Sequence, residues 1–440
     1  MKKQSCSHEQ RRILCIVPRL PWPTRCGASL ANSALLQALT KNGWSVNVLV
    51  LGAVAQSTDL KKAETALQLN SIECIKFNIF MRSRIVRTCL AIVLQILRKN
   101  LPITVIPFGI GGFKRRVLEK IKFSDSDIVL WDGLHTMAAL WESIQKCDAS
   151  FASKINIYRA HNLEGSLWQH YTAQASALMR PFFRYQSKLM DEFELKIIKH
   201  ADSVLFINSA DTIQMKEQLN KTGHLYTLPL AMLEPIQKET KKATQSLSTS
   251  DAKNENSFFQ IIWLGGIDWW PNKEGLKWFF ANVWPKVCSM RPQIRLHVVG
   301  RKTEQFTRGK PENTIFHGYV DDPKRLIRAS DLMIVPIFSG SGVRVKALEA
   351  LSLETPCLGT ELGLSGIPEE GCWTTNNLCE WVDILTSVHQ NQCEEKGKAG
   401  GRAFQKRHSI EKTAKTLDEI FTPLLRSRFQ GSQDKKILFP

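Results

Sequence analysis

Asp331-Leu-Met-Ile-Val-Pro336-Ile-Phe-Ser-Gly340-Ser341-Gly342-Val343-Arg344-Val345-Lys346-Ala347-Leu348-Glu349-Ala350-Leu351 reads as a short apolar run, a turn rich in breakers and a helix. The run Asp331 to Pro336 predicts a buried strand, and the helical stretch extends from Val345 to Leu353. Between them Gly340 and Gly342 let the backbone approach a ligand, and the amides at the helix start make a site for an anion. Arg344 and Lys346 add positive charge, and Glu349 lies about one helical turn beyond Lys346. Taken alone, the same residues also fit a surface loop followed by a helix with an ion pair.

The same alternation runs outward in both directions. Upstream, Phe259 to Leu264 and Arg295 to Val299 read as strands, Asn272 to Phe280 and Lys324 to Ala329 as helices, and Pro356 to Gly359 follows as another strand. Near the N-terminus, Arg12 to Val17 is a strand that runs into Pro18, Pro21, Pro23 and Gly27. A helix carrying Leu30, Leu35, Leu36 and Leu39 ends at Gly43, and Ser45 to Leu51 is the next strand. Asp127 to Trp131, Lys154 to Tyr158 and Ser203 to Ile207 extend that first sheet. Strands alternating with helices predict an α/β protein with parallel, doubly wound sheets.

Between Gln237 and Asn256 the sequence turns to Lys, Thr, Ser, Gln and Asn, the composition of a solvated linker. The expected organisation is therefore a Rossmann-like domain over 10–236, a linker over 237–256 and a second Rossmann-like domain over 257–408. A crossing helix at 409–426 and a loose tail at 427–440 complete it. Two such domains should face an interdomain cleft, with ligands beyond the carboxyl ends of the strands.

Composition narrows the classes. The 440 residues are 43% hydrophobic and 23% charged, so the chain is globular, and 59 basic against 41 acidic side chains leave a net charge of +18. That surplus points to an anionic partner: nucleic acid, a phosphorylated metabolite or an acidic membrane. No zinc-finger spacing or RNA-binding strand motif supports nucleic acid. Eleven cysteines without a CxxC pair argue against a zinc site and a disulfide framework, and for a reducing compartment. The first apolar run stops at Pro18, too short for a signal peptide, and no uncharged run is long enough for a membrane span.

The glycine-rich stretch also resembles the donor-binding signature of family 4 glycosyltransferases of the GT-B fold. The resemblance extends through most of residues 10–425. It includes Trp263-Leu264-Gly265-Gly266, Asn272-Lys273-Glu274-Gly275-Leu276, Val298-Val299-Gly300-Arg301 and Phe316-His317-Gly318-Tyr319-Val320-Asp321. It implies transfer of a sugar from a UDP- or GDP-sugar to a glycan or polyprenyl-linked acceptor, with retention of configuration, and with neither a cofactor nor a metal. The donor residues it implies are Gly27, Gly265, Gly266, Lys273, Arg301, Gly318, Gly340, Ser341, Gly342, Val343 and Glu349, with Arg344 and Lys346 on the phosphates. Polysaccharide or glycoconjugate assembly is the implied setting.

The sequence also departs from that pattern. Many members place a Glu seven residues and one step before the position of Glu349, where this chain has Ser341, and an Arg where it has Gly266. Glu349 then keeps the ribose role while the carboxylate that meets the sugar is missing. Two readings stay open: an active transferase in which Arg301, Arg344 and Lys346 carry the phosphate charge, and a non-catalytic GT-B relative that binds nucleotide or glycan within an assembly complex.

In the first domain, His135 and His161 both follow strands, where an uncharged imidazole is available to a sugar or acceptor hydroxyl. Each also fits a structural role; His170, His200 and His297 are read as structural. From Phe80 to Lys122 ten basic residues face one acid, Glu119. Within it, Arg84, Arg87, Gln95 and Arg98 share one helical face and Ile85, Cys89, Val93, Ile96 and Leu97 another. Such a helix fits either an anionic membrane surface or packing on the sheet with a solvated basic face. The expected location is cytoplasmic, at the inner face of the membrane.

Overall fold

The computed structural model describes residues 11–24, 27–52, 55–77, 84–97, 101–109, 111–145, 153–220, 223–232, 258–309, 311–340 and 342–437. The expected linker at 237–256 and Ser341 lie outside the described residues, as do Arg82, Arg98 and Lys99. The chain divides into two compact units, one formed by residues up to 231 together with 410 onward, the other by 232–409.

The first unit is built on seven parallel strands: β1 (Arg12–Val17), β2 (Ser45–Leu51), β3 (Ser71–Ile75), β4 (Ile128–Asp132), β5 (Ile155–Ala160), β6 (Ser203–Phe206) and β7 (Leu225–Thr227), in the order β3-β2-β1-β4-β5-β6-β7. The order reverses between β1 and β4, where Ile13 pairs with Ile128 and Ile16 with Trp131. Central strands are buried on both faces, and Trp131, Tyr158, Phe193 and Phe206 fill the largest core. That explains their near-continuous apolar text.

The second unit holds six parallel strands, β8 (Phe259–Leu264), β9 (Ile294–Val299), β10 (Thr314–Gly318), β11 (Leu332–Val335), β12 (Cys357–Gly359) and β13 (Cys372–Thr374), ordered β10-β9-β8-β11-β12-β13. Here the reversal lies between β8 and β11. Trp263, Phe279, Trp284 and Trp381 fill its core. The helix expected from Asn272 runs from Trp270 to Trp278 and passes through a π-helical turn, Phe279–Val283, into Trp284–Met290.

Two expectations are corrected. The closing helix is not confined to 409–426 with a loose tail after it: it spans Ile410–Ile437, with Pro423 inside. After Phe421 the apolar spacing fades, although Leu424, Leu425, Arg426 and Arg428 are good helix formers, so the pattern stops before the helix does. It packs on the first unit, where Trp44 Nε1 donates to Asp418 Oδ1 at 3.1 Å and the Trp44 and Phe421 rings meet edge-on.

The second correction concerns the helix Arg84–Leu97, whose expected polar face contained Gln95. Gln95 is buried, donating to Leu101 O at 3.0 Å and to Gln186 Oε1 at 3.2 Å, while Cys89 and Val93 are exposed. A buried amide is acceptable because its hydrogen bonds are made within the protein. The side chains of Arg84 and Arg87 lie outside the described residues.

Candidate active site

In the second unit the loops leaving β8 and β11 flank the point where strand order reverses, the place where such sheets bind ligands. Gly340 and Gly342 adopt φ of +101° and +79°, conformations that cost little only for glycine. The turn they make delivers Arg344 to the start of the helix Val345–Ser352. A Cβ on Gly340 would lie 3.3 Å from Trp269 and 3.4 Å from Pro271, so the β11 turn and the β8 loop lie close together. Gly265, Gly300 and Gly318 continue the same rim. Gly300 donates to Gly318 O at 2.7 Å, Ile267 donates to Arg301 O at 3.0 Å, and a side chain on Gly300 would strike Gly265 O.

Charge within this rim is unevenly exposed. Arg344 is buried with its guanidinium 5.2 Å from the centre of the Trp269 ring, and burial pushes its pKa down to about 10. Lys346 Nζ donates to Leu264 O at 2.8 Å and to Asn272 Oδ1 at 3.1 Å, above the Trp263 ring. Burial, reinforced by Arg344 and opposed by Cys357, pushes its pKa down to about 7. Glu349 is half-buried; burial raises its carboxyl, with Lys324 opposing and Asp322 adding. Arg301 is exposed and pairs with Asp268 at 3.0 Å, and Lys273 is half-buried on the helix Trp270–Trp278. Val343 is buried beneath the turn.

In the first unit β4 and β5 end side by side, with Asp132 opposite Arg159 in register. His161 Nε2 lies 2.8 Å from Asp132 Oδ1, which also accepts from Arg159 Nη1 at 2.9 Å, and Arg159 reaches Asn32 Oδ1 at 3.2 Å. Asp132 and Arg159 are each 1% exposed and His161 is 24% exposed. Burial opposes ionisation of Asp132, yet His161 and Arg159 hold its carboxyl well below the usual range. His135 follows β4 on a short 3-10 turn, its Nε2 3.1 Å from Thr104 Oγ1. Burial lowers its pKa, with Glu164 opposing, so the ring is neutral near pH 7. Gly27 is the first residue of the helix Gly27–Lys41.

The model of the family described as Glycosyl transferases group 1 matches residues 259–390. That match falls within the second unit. A curated relative, an uncharacterized 44.6 kDa protein in the cps region of Klebsiella pneumoniae, is 21% identical over 371 residues, 81% of this chain and 84% of that protein. Among solved structures, sucrose-phosphate synthase of Thermosynechococcus elongatus is similar with a TM-score of 0.64 at 15% identity, covering 95% of this chain and 100% of that one. Anabaena Alr3699/HepE in complex with UDP gives 0.62 at 13% identity, over 94% and 100%. The fold is GT-B, with the seven- and six-stranded sheets as its two Rossmann-like domains.

The second unit contains most of the expected donor residues. Gly265, Gly266, Arg301, Gly340, Gly342 and Arg344 sit on loops after the strands β8 to β11, Gly318 ends β10, and Lys346 and Glu349 lie on the helix Val345–Ser352. Gly27, His135 and His161 belong to the first unit. His297, read as structural, joins β8 to β10 through Gln260 Oε1 at 2.8 Å and His317 Nε2 at 2.9 Å. Reasoning from sequence missed Asp132, Arg159, Asn32 and Trp269. The run Trp131-Asp132-Gly133 carried a signal for Asp132, a carboxylate at the carboxyl end of a buried strand.

Proposed function

We propose that the protein is a glycosyltransferase of the family 4 type. It moves a sugar from a nucleoside diphosphate sugar, UDP- or GDP-linked, to a glycan or polyprenyl-linked acceptor, with retention of configuration. Polysaccharide or glycoconjugate assembly, at the cytoplasmic face of a membrane, is the setting. The observation that carries this reading is the meeting of the β8 loop and the β11 turn, where glycine backbones, a helix start, Arg344 and Lys346 form one cationic rim. The UDP held by Alr3699/HepE and the cps-region relative support the donor class and the setting.

Catalysis in this reading is electrostatic. As the bond between the anomeric carbon and the diphosphate breaks, negative charge grows on the leaving group, and fixed amides with Arg344 stabilise it more than they stabilise the bound donor. Lys346, with its pKa down near 7, gains a proton readily when an anion arrives. His161, oriented by Asp132, and His135, neutral near pH 7, offer imidazole nitrogens to hydroxyl groups.

The test is transfer from a panel of UDP- and GDP-sugars to polyprenyl-linked and oligosaccharide acceptors, with thermal shift read in parallel. Stabilisation by one nucleotide sugar and a labelled product support the proposal. Stabilisation without turnover over the whole panel favours the non-catalytic relative, for which Ser341 in place of a Glu is the motive. Neither stabilisation nor transfer overturns both.

A further inference from the structure

We infer that Glu274, held by Ser339, supplies the carboxylate that takes hydroxyl groups of the donor sugar. The inference rests on the donor-site reading proposed above and adds a specificity-determining residue to it. Glu274 lies on the helix Trp270–Trp278, and its Oε2 accepts from Ser339 Oγ at 2.6 Å, a contact that spans 65 residues of sequence. Ser339 is 3% exposed whereas Glu274 is half-buried, so a hydroxyl inside the protein anchors a residue that is still partly open to solvent. The other carboxylate oxygen, Oε1, has no hydrogen-bond partner among the described residues.

The helix brings Glu274 to this place because it lies against the segment 336–340 along its length. A Cβ on Gly275 would be 1.6 Å from Pro336 O, the Trp278 and Phe338 rings meet edge-on with centroids 4.7 Å apart, and a Cβ on Gly340 would be 3.3 Å from Trp269. Pro336, Phe338 and Gly340 thus fix the turn against the helix, and the bond from Ser339 is made between them. A carboxylate placed before its ligand arrives loses little freedom on binding it.

The chemistry of the group selects what it meets. An ionised carboxylate accepts hydrogen bonds and repels phosphate, so its partner carries hydroxyls. The charges acting on Arg344 and Lys346 do not include Glu274, so the carboxylate leaves the cations available to phosphates. Glu349 stands apart from it on the helix Val345–Ser352, where Lys324 and Asp322, from the segment after β10, act on its carboxyl. A nucleoside diphosphate sugar has hydroxyls on both sides of its phosphates, and so has a use for two separate carboxylates around a pair of cations. The sequence has Ser341 in the turn, and Glu274 brings a carboxylate to that turn from the neighbouring helix.

The test is calorimetric titration of the full chain with UDP, GDP, UDP-glucose and GDP-mannose, comparing the parent with Glu274→Gln. The amide oxygen of Gln still accepts from Ser339, so the turn keeps its anchor while the charge is removed. The expected result is that the parent binds one of the nucleotide sugars and the variant binds it about tenfold more weakly, with affinity for the free nucleotide within about twofold. Equal binding of the nucleotide sugar by parent and variant overturns the inference. Equal losses for nucleotide and nucleotide sugar, with a lower melting temperature, overturn it in favour of a part in holding the turn alone. A parent that binds a nucleotide but neither nucleotide sugar overturns it and leaves the phosphate site standing, whereas a parent that binds none of the four removes the donor-site reading itself.

Discussion

His161 Nε2 stands 2.8 Å from Asp132 Oδ1, the oxygen that also accepts a hydrogen bond from the buried Arg159. An ionised carboxylate only accepts, so the imidazole carries its proton on Nε2 and leaves Nδ1 as an acceptor whenever the ring is neutral. In the proposed reaction Asp132 acts through His161 as a positioning residue. Asp132→Asn should lower the transfer rate about tenfold to a hundredfold, with UDP affinity within about twofold. In a His161→Ala background the same change should cost almost nothing further. Equal losses in both backgrounds would mean that Asp132 serves only the fold. Loss of the charge beside Arg159 should also lower stability by about 2 kcal/mol, read by denaturant unfolding.

In the proposed donor site Lys346 should make donor binding depend on pH. Its ammonium titrates near 7 rather than 10.5, so its charge is present below that value and lost as pH rises through it. UDP affinity should weaken by up to about tenfold from about pH 6 to about pH 8. In Lys346→Met the pH slope should flatten relative to the parent. Calorimetric titration at both pH values reads the difference, and parallel slopes would take Lys346 out of the donor site.

Arg344 is a buried cation stacked on Trp269 beside the Gly340 turn. Arg344→Ala should weaken UDP binding by about tenfold or more while leaving nucleoside binding nearly unchanged, because in the proposed site its charge meets the phosphates. Titrations with UDP and with uridine separate the two effects.

Glu194 in the first unit accepts from Tyr158 Oη at 3.3 Å and from Gly165 N at 3.2 Å, and burial, reinforced by Glu164, pushes its carboxyl up to about 8. The folded state keeps a proton that the unfolded chain releases near 4.5, so the associated stability is full below that pH and is lost as pH rises toward 8. Glu194→Gln, which cannot ionise, should melt close to the parent at about pH 5. At about pH 8 it should melt a few °C higher.

Gly275 faces Pro336 where the helix Trp270–Trp278 crosses the end of β11, and a methyl group there would lie 1.6 Å from the Pro336 carbonyl oxygen. Backbone cannot give way as a side chain can. Gly275→Ala should cost about 2–3 kcal/mol and displace the Gly340 turn, so UDP affinity should fall together with the melting temperature.

Each sheet's central strands were legible and its edges were not. β1, β2, β4, β5 and β6, and β8, β9, β11 and β12, are apolar runs because both their faces are covered. The four missed strands, β3, β7, β10 and β13, are the four edges. Ser71–Ile75 and Thr314–Gly318 keep partly exposed residues, so their text does not differ from loop. The glycine turn before Arg344 was legible because φ values that favour glycine leave a mark in sequence. Asp132 was not, because what marks it is the register that sets Arg159 opposite, and pairing between strands has no local signature. Gln95 misled for a related reason: its partner Gln186 lies 91 residues away.

The helix Ile410–Ile437 has a consequence for the order in which the protein is made. It supplies Asp418 and Phe421 to Trp44 and Asp418 to Arg11, so the first unit is assembled from the two ends of the chain, with the whole second unit spliced between them. On the ribosome the second unit has all of its sequence while the first unit still shows the bare flank of the helix Gly27–Lys41 and Trp44. The domain begun first is finished last, and until then a nascent chain offers chaperones and proteases an uncovered helix flank.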